Sequence, residues 1–295
     1  MYKDLTVAVH LGAPYTDNEQ LTWSLRKDAA ELAETGVMTL RPAIYRKKVK
    51  GLLRKLEGAV ASAQDQQRLL SEIMRKSEAK RLVLSDATYM GAPSWMMMNG
   101  EFYRNAGRNT AAIRNLFPDA EVEFFLSIRN PATFLPEAFS GQIEKSFDAF
   151  FNQVDVMSVC WSDVIRSIRK ANPASRLTVW SHEDLPVIWP TVLAEVAARD
   201  LGRAFKGELD IINAVLTREG VSRLRSYLRD KTGLSRDKRQ AVMAVFLEKF
   251  VDETANEVEI DLPGWTSETV ETMTDIYEAD VYDIGRMDGV SLINV

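Results

Sequence analysis

His10, Asp86, Arg129 and His182 each lie at the end of a short apolar run or within two residues of it. In an open parallel sheet, ligands gather beyond the carboxyl ends of the strands, so these positions are the first to ask for chemistry. A histidine at neutral pH can act as a general base, and His10 and His182 could line one cleft. Each also reads as a partly buried ring with one backbone partner. Asp86 could accept a proton or cap the turn that follows it. The stretch His10-Leu11-Gly12-Ala13-Pro14-Tyr15-Thr16-Asp17-Asn18-Glu19-Gln20-Leu21 runs from an apolar segment through a loop into a helix-length segment. Exposed N–H groups and a helix dipole could hold a phosphate there. The Gly-Lys pair of the Walker pattern is missing at its expected spacing. Asp17 or Asn18 could instead cap the helix, with the loop satisfying its own donors.

The elements that must position these residues alternate. Leu5 to Leu11 reads as a strand and Asn18 to Glu34 as a helix. Leu52 to Lys80 carries helical spacing before the strand Arg81–Ser85, and Thr110–Phe117 precedes the strand Glu121–Ile128. In the last of these, Val122, Phe124, Phe125, Leu126 and Ile128 make a nearly continuous apolar run suited to a strand buried on both faces. A helix over Ser162–Lys170 and a strand over Arg176–Trp180 follow. This alternation predicts a three-layer α/β/α fold with a central, mainly parallel sheet. From about residue 186 to 295 the pattern is mostly helical, with helices over Ile188–Leu201 and Val221–Leu228. No linker rich in Gly, Ser or Pro divides it off, so residues 1–295 are expected to form a single domain. The acidic stretch Asp252–Asp261 reads as a solvated surface segment.

Taken in chain order, the strand ends resemble those of bacterial sulfotransferase-like proteins of the P-loop fold. That family typically opens His-Ile-Gly-x-x-Lys-Thr-Gly-Thr-Thr-Ser-Leu, and His10, Leu11, Gly12, Thr16 and Leu21 fit the frame. Leu82-Val83-Leu84-Ser85-Asp86 is similar to its second strand and acidic turn. Ser127-Ile128-Arg129-Asn130-Pro131 is similar to the segment whose arginine holds the 3′-phosphate of the donor. Trp180-Ser181-His182-Glu183-Asp184-Leu185, Pro263-Gly264-Trp265 and Tyr277-Glu278-Ala279-Asp280 extend the likeness to the C-terminal part. The resemblance implies transfer of a sulfuryl group from 3′-phosphoadenylyl sulfate to a hydroxyl or amine, without a metal. It implies that Gly12, Tyr15, Thr16 and Arg129 hold the donor and that Asp86 or His10 deprotonates the acceptor. The single cysteine, which can form no intramolecular disulfide, agrees with a reducing compartment and a cytoplasmic protein.

The chain departs from that pattern where the charge should be. Sulfuryl transfer needs positive charge at the leaving phosphate. Tyr15, neutral at pH 7, stands where the family has lysine. Asp17, Asn18 and Glu19 replace a glycine and two threonines, and Ala87 falls on the family's glutamate, with Asp86 one residue away. A pair of like charges about 4 Å apart at an effective dielectric near 20 costs roughly 4 kcal/mol. Glu137 stands where a phosphate-binding serine is usual, eight residues past Arg129, and a carboxylate there is expected to pair with the arginine. Positive charge would have to come from Lys27, Arg41 or Arg46 folding back into the cleft. The sequence thus carries three readings: an active sulfotransferase, a non-catalytic, sulfotransferase-like binding or interaction protein, and an unrelated doubly wound protein with accidental similarities, which ordered resemblance at four or more places disfavours.

Composition narrows the field. A net charge of −5 over 295 residues gives no general attraction for nucleic acid or an anionic membrane surface, and no window approaches the roughly 20 apolar residues of a membrane span. With two histidines and one cysteine, Cys160, an all-nitrogen-and-sulfur structural zinc site is excluded. The cluster Trp95-Met96-Met97-Met98, with Tyr89 and Phe102, suits either an adaptable surface for a protein or ligand or a place in the core.

Overall fold

Strand residues of alternating direction sort the apolar side chains of the sheet onto two faces, and a helical layer covers each. The computed structural model describes residues 4–75, 77–142, 146–200, 203–231, 233–252 and 262–295. Six parallel strands run in the order β2-β3-β1-β6-β7-β8: β1 (Thr6–Gly12), β2 (Val37–Thr39), β3 (Arg81–Ser85), β6 (Glu121–Ile128), β7 (Leu177–Ser181) and β8 (Val290–Ile293). A separate antiparallel ribbon joins β4 (Met97–Met98) to β5 (Glu101–Phe102).

On one face, Val7, Val9, Leu82, Leu84, Phe124 and Val179 form the larger core. Over them lie α3 (Pro42–Leu56), α4 (Ala63–Met74), α5 (Ala106–Arg114), α6 (Pro131–Ser140), α8 (Trp161–Ala171) and α13 (Ser267–Ile284). On the other face, Ala8, Val83, Phe125 and Trp180 pack against α1 (Gln20–Arg26), α2 (Ala29–Glu34) and α9 (Leu185–Ala197). A third cluster, built on Ile212, Leu224, Leu228 and Met243, belongs to α10 (Asp210–Val215), α11 (Arg218–Asp230) and α12 (Arg236–Phe250). The short helix α7 (Phe147–Phe151) follows α6.

The three-layer α/β/α architecture with a parallel sheet is the one the alternation predicts, and Glu121–Ile128 is a strand buried from its second residue onward. The edge strands β2 and β8 are additions, being too short to show a period. Two expected helices divide. Asn18–Glu34 becomes α1 and α2, broken beside Asp28, whose buried carboxylate accepts the Lys206 N–H at 2.9 Å. Leu52–Lys80 spans the end of α3 and all of α4; Glu57 and Gly58 take φ of 50° and 95°, and Ser62 restarts the chain by capping the Asp65 N–H. Among the described residues no helix is long and apolar enough to cross a membrane. Past Asp252, the acidic stretch to Asp261 lies outside the described residues.

The chain leaves β1 toward β2 on one side and, after β3, passes over to β6 on the other. This reversal of direction around β1 makes its carboxyl end the topological switch point.

Candidate functional site

His10, Gly12, Ser85, Asp86 and Arg129 do converge at the carboxyl ends of β1, β3 and β6. The sheet register brings His10 opposite Ser85, and a β-bulge between His10 and Gly12 lifts the chain into the loop. His10 is fully buried. Its ring Nδ1 lies 2.9 Å from Ser85 Oγ and the ring stacks on Trp180 at 5.6 Å. Burial lowers its pKa below the ordinary histidine value, so the ring is neutral at pH 7. His182 is likewise lowered, by burial first and by the Arg129 charge second.

Gly12 takes φ of +67°, and a Cβ on it would sit 2.6 Å from Ala87 Cα. The glycine is therefore required by the segment after β3 lying directly upon it. Three non-glycine residues in the loop, Tyr15, Asn18 and Glu19, also hold positive φ, a cost of about 1–2 kcal/mol each that the surroundings must offset.

The loop turns its polar groups upon itself. Thr16 Oγ1 donates to the Ala13 carbonyl at 2.7 Å, and Asp17 accepts the Leu21 N–H at 3.0 Å, capping α1. Glu19 pairs with Arg46. The Tyr15 hydroxyl lies against Gly141, where a Cβ would meet it, while the Tyr15 carbonyl accepts from Arg129 at 2.6 Å. Arg129 is completed by Glu137 at 2.5 Å and by Thr133 Oγ1 at 3.3 Å. Its side chain is 10% exposed and that of Glu137 36%. The expected pairing of Glu137 with Arg129 is present, as is the capping role of Asp17.

Asp86 is buried and takes the turn role: its Oδ1 accepts from Thr88 N–H at 2.9 Å and Thr88 Oγ1 at 2.7 Å. Lys50 approaches its Oδ2 at 2.8 Å and Arg46 at 3.6 Å. Burial pushes this carboxyl up, but the bonds from Lys50 and Thr88 outweigh that and leave its pKa below the ordinary value. Of the three basic residues suggested by the sequence, Arg46 folds back, its Nε also donating to the Ser85 carbonyl at 3.0 Å, whereas Lys27 pairs with Asp210 at 2.5 Å.

Lys50, Tyr45 and Trp161 were not singled out in the sequence, and Glu183, Trp265, Tyr277 and Asp280 stood there only as parts of the resembling segments. Lys50 lies one helical turn beyond Arg46 on α3, a spacing that puts both on one face. Tyr45, on the same helix, bonds both the carbonyl and the N–H of Ser85, at 2.8 and 2.9 Å, and burial pushes its pKa up to about 12. Glu183 joins the Asn130 N–H at 2.8 Å, Ser181 Oγ at 2.6 Å and Tyr277 Oη at 3.0 Å. Trp161 Nε1 donates to the Arg129 carbonyl at 2.8 Å, Trp265 Nε1 to the Ala132 carbonyl at 2.9 Å, and Asp280 accepts the Ser162 N–H. The sequence motifs of the C-terminal part thus fasten α6, α8 and α13 around Arg129.

Two clefts flank this filled centre. One, of about 380 Å³, is lined by Lys50, Thr88, Tyr89, Arg108 and Asn109. The other, of about 720 Å³, is mostly apolar and runs from His182 past Val187, Ile211 and Leu247. The methionine cluster divides: Met96 and Met97 are buried in the larger core, while Trp95 is 64% exposed.

Comparison of the chain with protein-family models, with curated proteins and with solved structures finds no match. The likeness to sulfotransferases therefore stands on the motif residues alone.

Proposed function

We propose that this chain is a non-catalytic binding protein on a sulfotransferase-like scaffold, whose former donor site is filled by its own side chains. The observation that carries this reading is the environment of Arg129: Glu137 at 2.5 Å and the Tyr15 carbonyl at 2.6 Å both accept from its Nη1, and Thr133 Oγ1 lies on its Nε, so two of the three nitrogens a 3′-phosphate would use are already engaged. Around it Thr16, Asp17 and Glu19 each have a partner within the protein. A carboxylate bonded to a guanidinium occupies the place of an anionic oxygen of the phosphate it excludes. The same reading keeps the protein in the cytoplasm and gives it a small-molecule or protein partner in place of a sulfuryl acceptor, with Trp95 the exposed aromatic of the Trp95–Met98 segment.

A second reading, an active sulfotransferase, is favoured by one observation. Arg46 and Lys50 reach the carboxyl end of β3, where Glu19 and Asp86 pair with them, and would supply the positive charge that Tyr15 does not if a donor displaced those carboxylates. Equilibrium dialysis against radiolabelled 3′-phosphoadenylyl sulfate separates the two. The non-catalytic reading expects no retained label; retention by the wild type that disappears in Arg129→Ala overturns it in favour of the enzyme.

A further inference from the structure

Away from the strand ends, a cleft of about 430 Å³ opens between α9, α11, α12 and the segment 203–208. None of its lining residues belongs to the site around Arg129. Its volume lies in the range of small-molecule sites, about 300–1,000 Å³. Phe205, Leu228, Leu234 and Met243 supply apolar wall, with Phe205 and Met243 fully buried parts of two core clusters.

The charge in the cleft has the opposite sign to that of the chain. The protein carries −5 overall, yet four of the five ionisable side chains lining this cleft, Arg203, Lys231, Arg236 and Arg239, are cationic, against Glu208 alone. Two of the cations stand in the first turns of α12, a helix of 15 residues, where the helix dipole adds positive potential. Glu208 is engaged by Arg239, and Arg203 pairs with Glu31 at 3.1 Å, so two of the four are offset and Lys231 and Arg236 carry the remaining positive charge.

The polar atoms left over point the same way. Arg239 Nε and Gln240 Nε2 are buried, and neither finds an acceptor among the described residues. Both are donors. A buried donor without an acceptor costs about 1–3 kcal/mol. Neither atom faces the cleft as it stands, and a carboxylate, which only accepts, would answer both once these two partly exposed side chains turn toward it.

We infer that this cleft binds a small organic carboxylate with an apolar body, the carboxylate at Arg239, Gln240 and Arg236 and the body against Phe205, Leu228 and Met243. This assignment stands independently of whether the Arg129 site binds a sulfuryl donor. The pattern of a few placed polar groups on an apolar wall is what fixes orientation in such sites.

The test is calorimetric titration of the full chain with sodium octanoate, with octylamine, which is cationic at neutral pH, and sodium acetate as comparators that reverse the charge or lack the body. Octanoate is expected to bind one to one with a dissociation constant below roughly 1 mM, and each comparator at least about tenfold more weakly. The double substitution Lys231→Glu with Arg236→Glu changes two exposed side chains. It is expected to weaken octanoate at least about tenfold while leaving the melting temperature in place. Leu234→Trp, which fills the cleft, is expected to abolish binding. Absence of octanoate binding by the wild type, equal binding of octylamine, or octanoate affinity unchanged in the charge-reversed protein would each overturn the assignment.

Discussion

Replacing Glu137 by serine strips Arg129 of its carboxylate and leaves the guanidinium with the Tyr15 carbonyl and Thr133. The cost follows from burial. Exposed ion pairs contribute about 0.2–1 kcal/mol, whereas removing one partner of a fully buried pair costs about 3–5 kcal/mol. With Arg129 10% and Glu137 36% exposed, Glu137→Ser should fall between, at about 2 kcal/mol. For a chain of this size that corresponds to a fall of roughly 3 °C in melting temperature. If Glu137 occupies an anion site, the vacated site should accept phosphate. At ten times its dissociation constant, phosphate would return RT ln 11, about 1.4 kcal/mol, or roughly 2 °C. Thermal denaturation followed by circular dichroism, in sodium phosphate and in sodium chloride of matched ionic strength, reads both effects. The wild type should not respond to phosphate over chloride. The reasoning is refuted if phosphate stabilises the wild type as much as the variant, or if Glu137→Ser melts with the wild type.

Other consequences are more local. Gly12→Ala places a Cβ 2.6 Å from Ala87 Cα at φ +67°, and urea denaturation should show a loss of at least about 2 kcal/mol; adding Ala87→Gly should leave part of that loss, because the backbone penalty remains. Asp86 has a folded pKa below its unfolded value. Its stabilisation is therefore complete above the unfolded value near 3.9 and is lost as pH falls through the folded one, so stability curves of wild type and Asp86→Asn should converge below about pH 4. Met97→Ala should cost about 2–5 kcal/mol, as for a buried side chain. Trp95→Ala, at a residue that is 64% exposed, should stay within about 0.5 kcal/mol in the same assay.

What was legible in the chain depended on how local its cause is. The strand Glu121–Ile128 and α8 declare themselves because one is continuously apolar and the other strongly amphipathic over about three turns. The three residues of β2 and four of β8 are strands only because a neighbour pairs with them. The pairing of Arg129 with Glu137 could be anticipated because the two lie eight residues apart across the start of α6. The bond from Tyr277 to Glu183 spans 94 positions and leaves no trace in spacing. Arg46 was within reach of sequence reasoning and Lys50 followed from it by one helical turn. The direction each would take was not, since both could equally have faced solvent. Trp95 and Met97 are neighbours of similar apolarity, and only the β4–β5 ribbon decides that one is outside and the other inside.

A crystal structure of the wild type soaked in sodium sulfate tests the central claim most directly, since it shows what Arg129 holds when an anion is offered. The account predicts the guanidinium on Glu137 and the Tyr15 carbonyl, with no sulfate bound to it. Sulfate seated between Arg129 and the Gly12–Thr16 backbone, with Glu137 swung away, would contradict it.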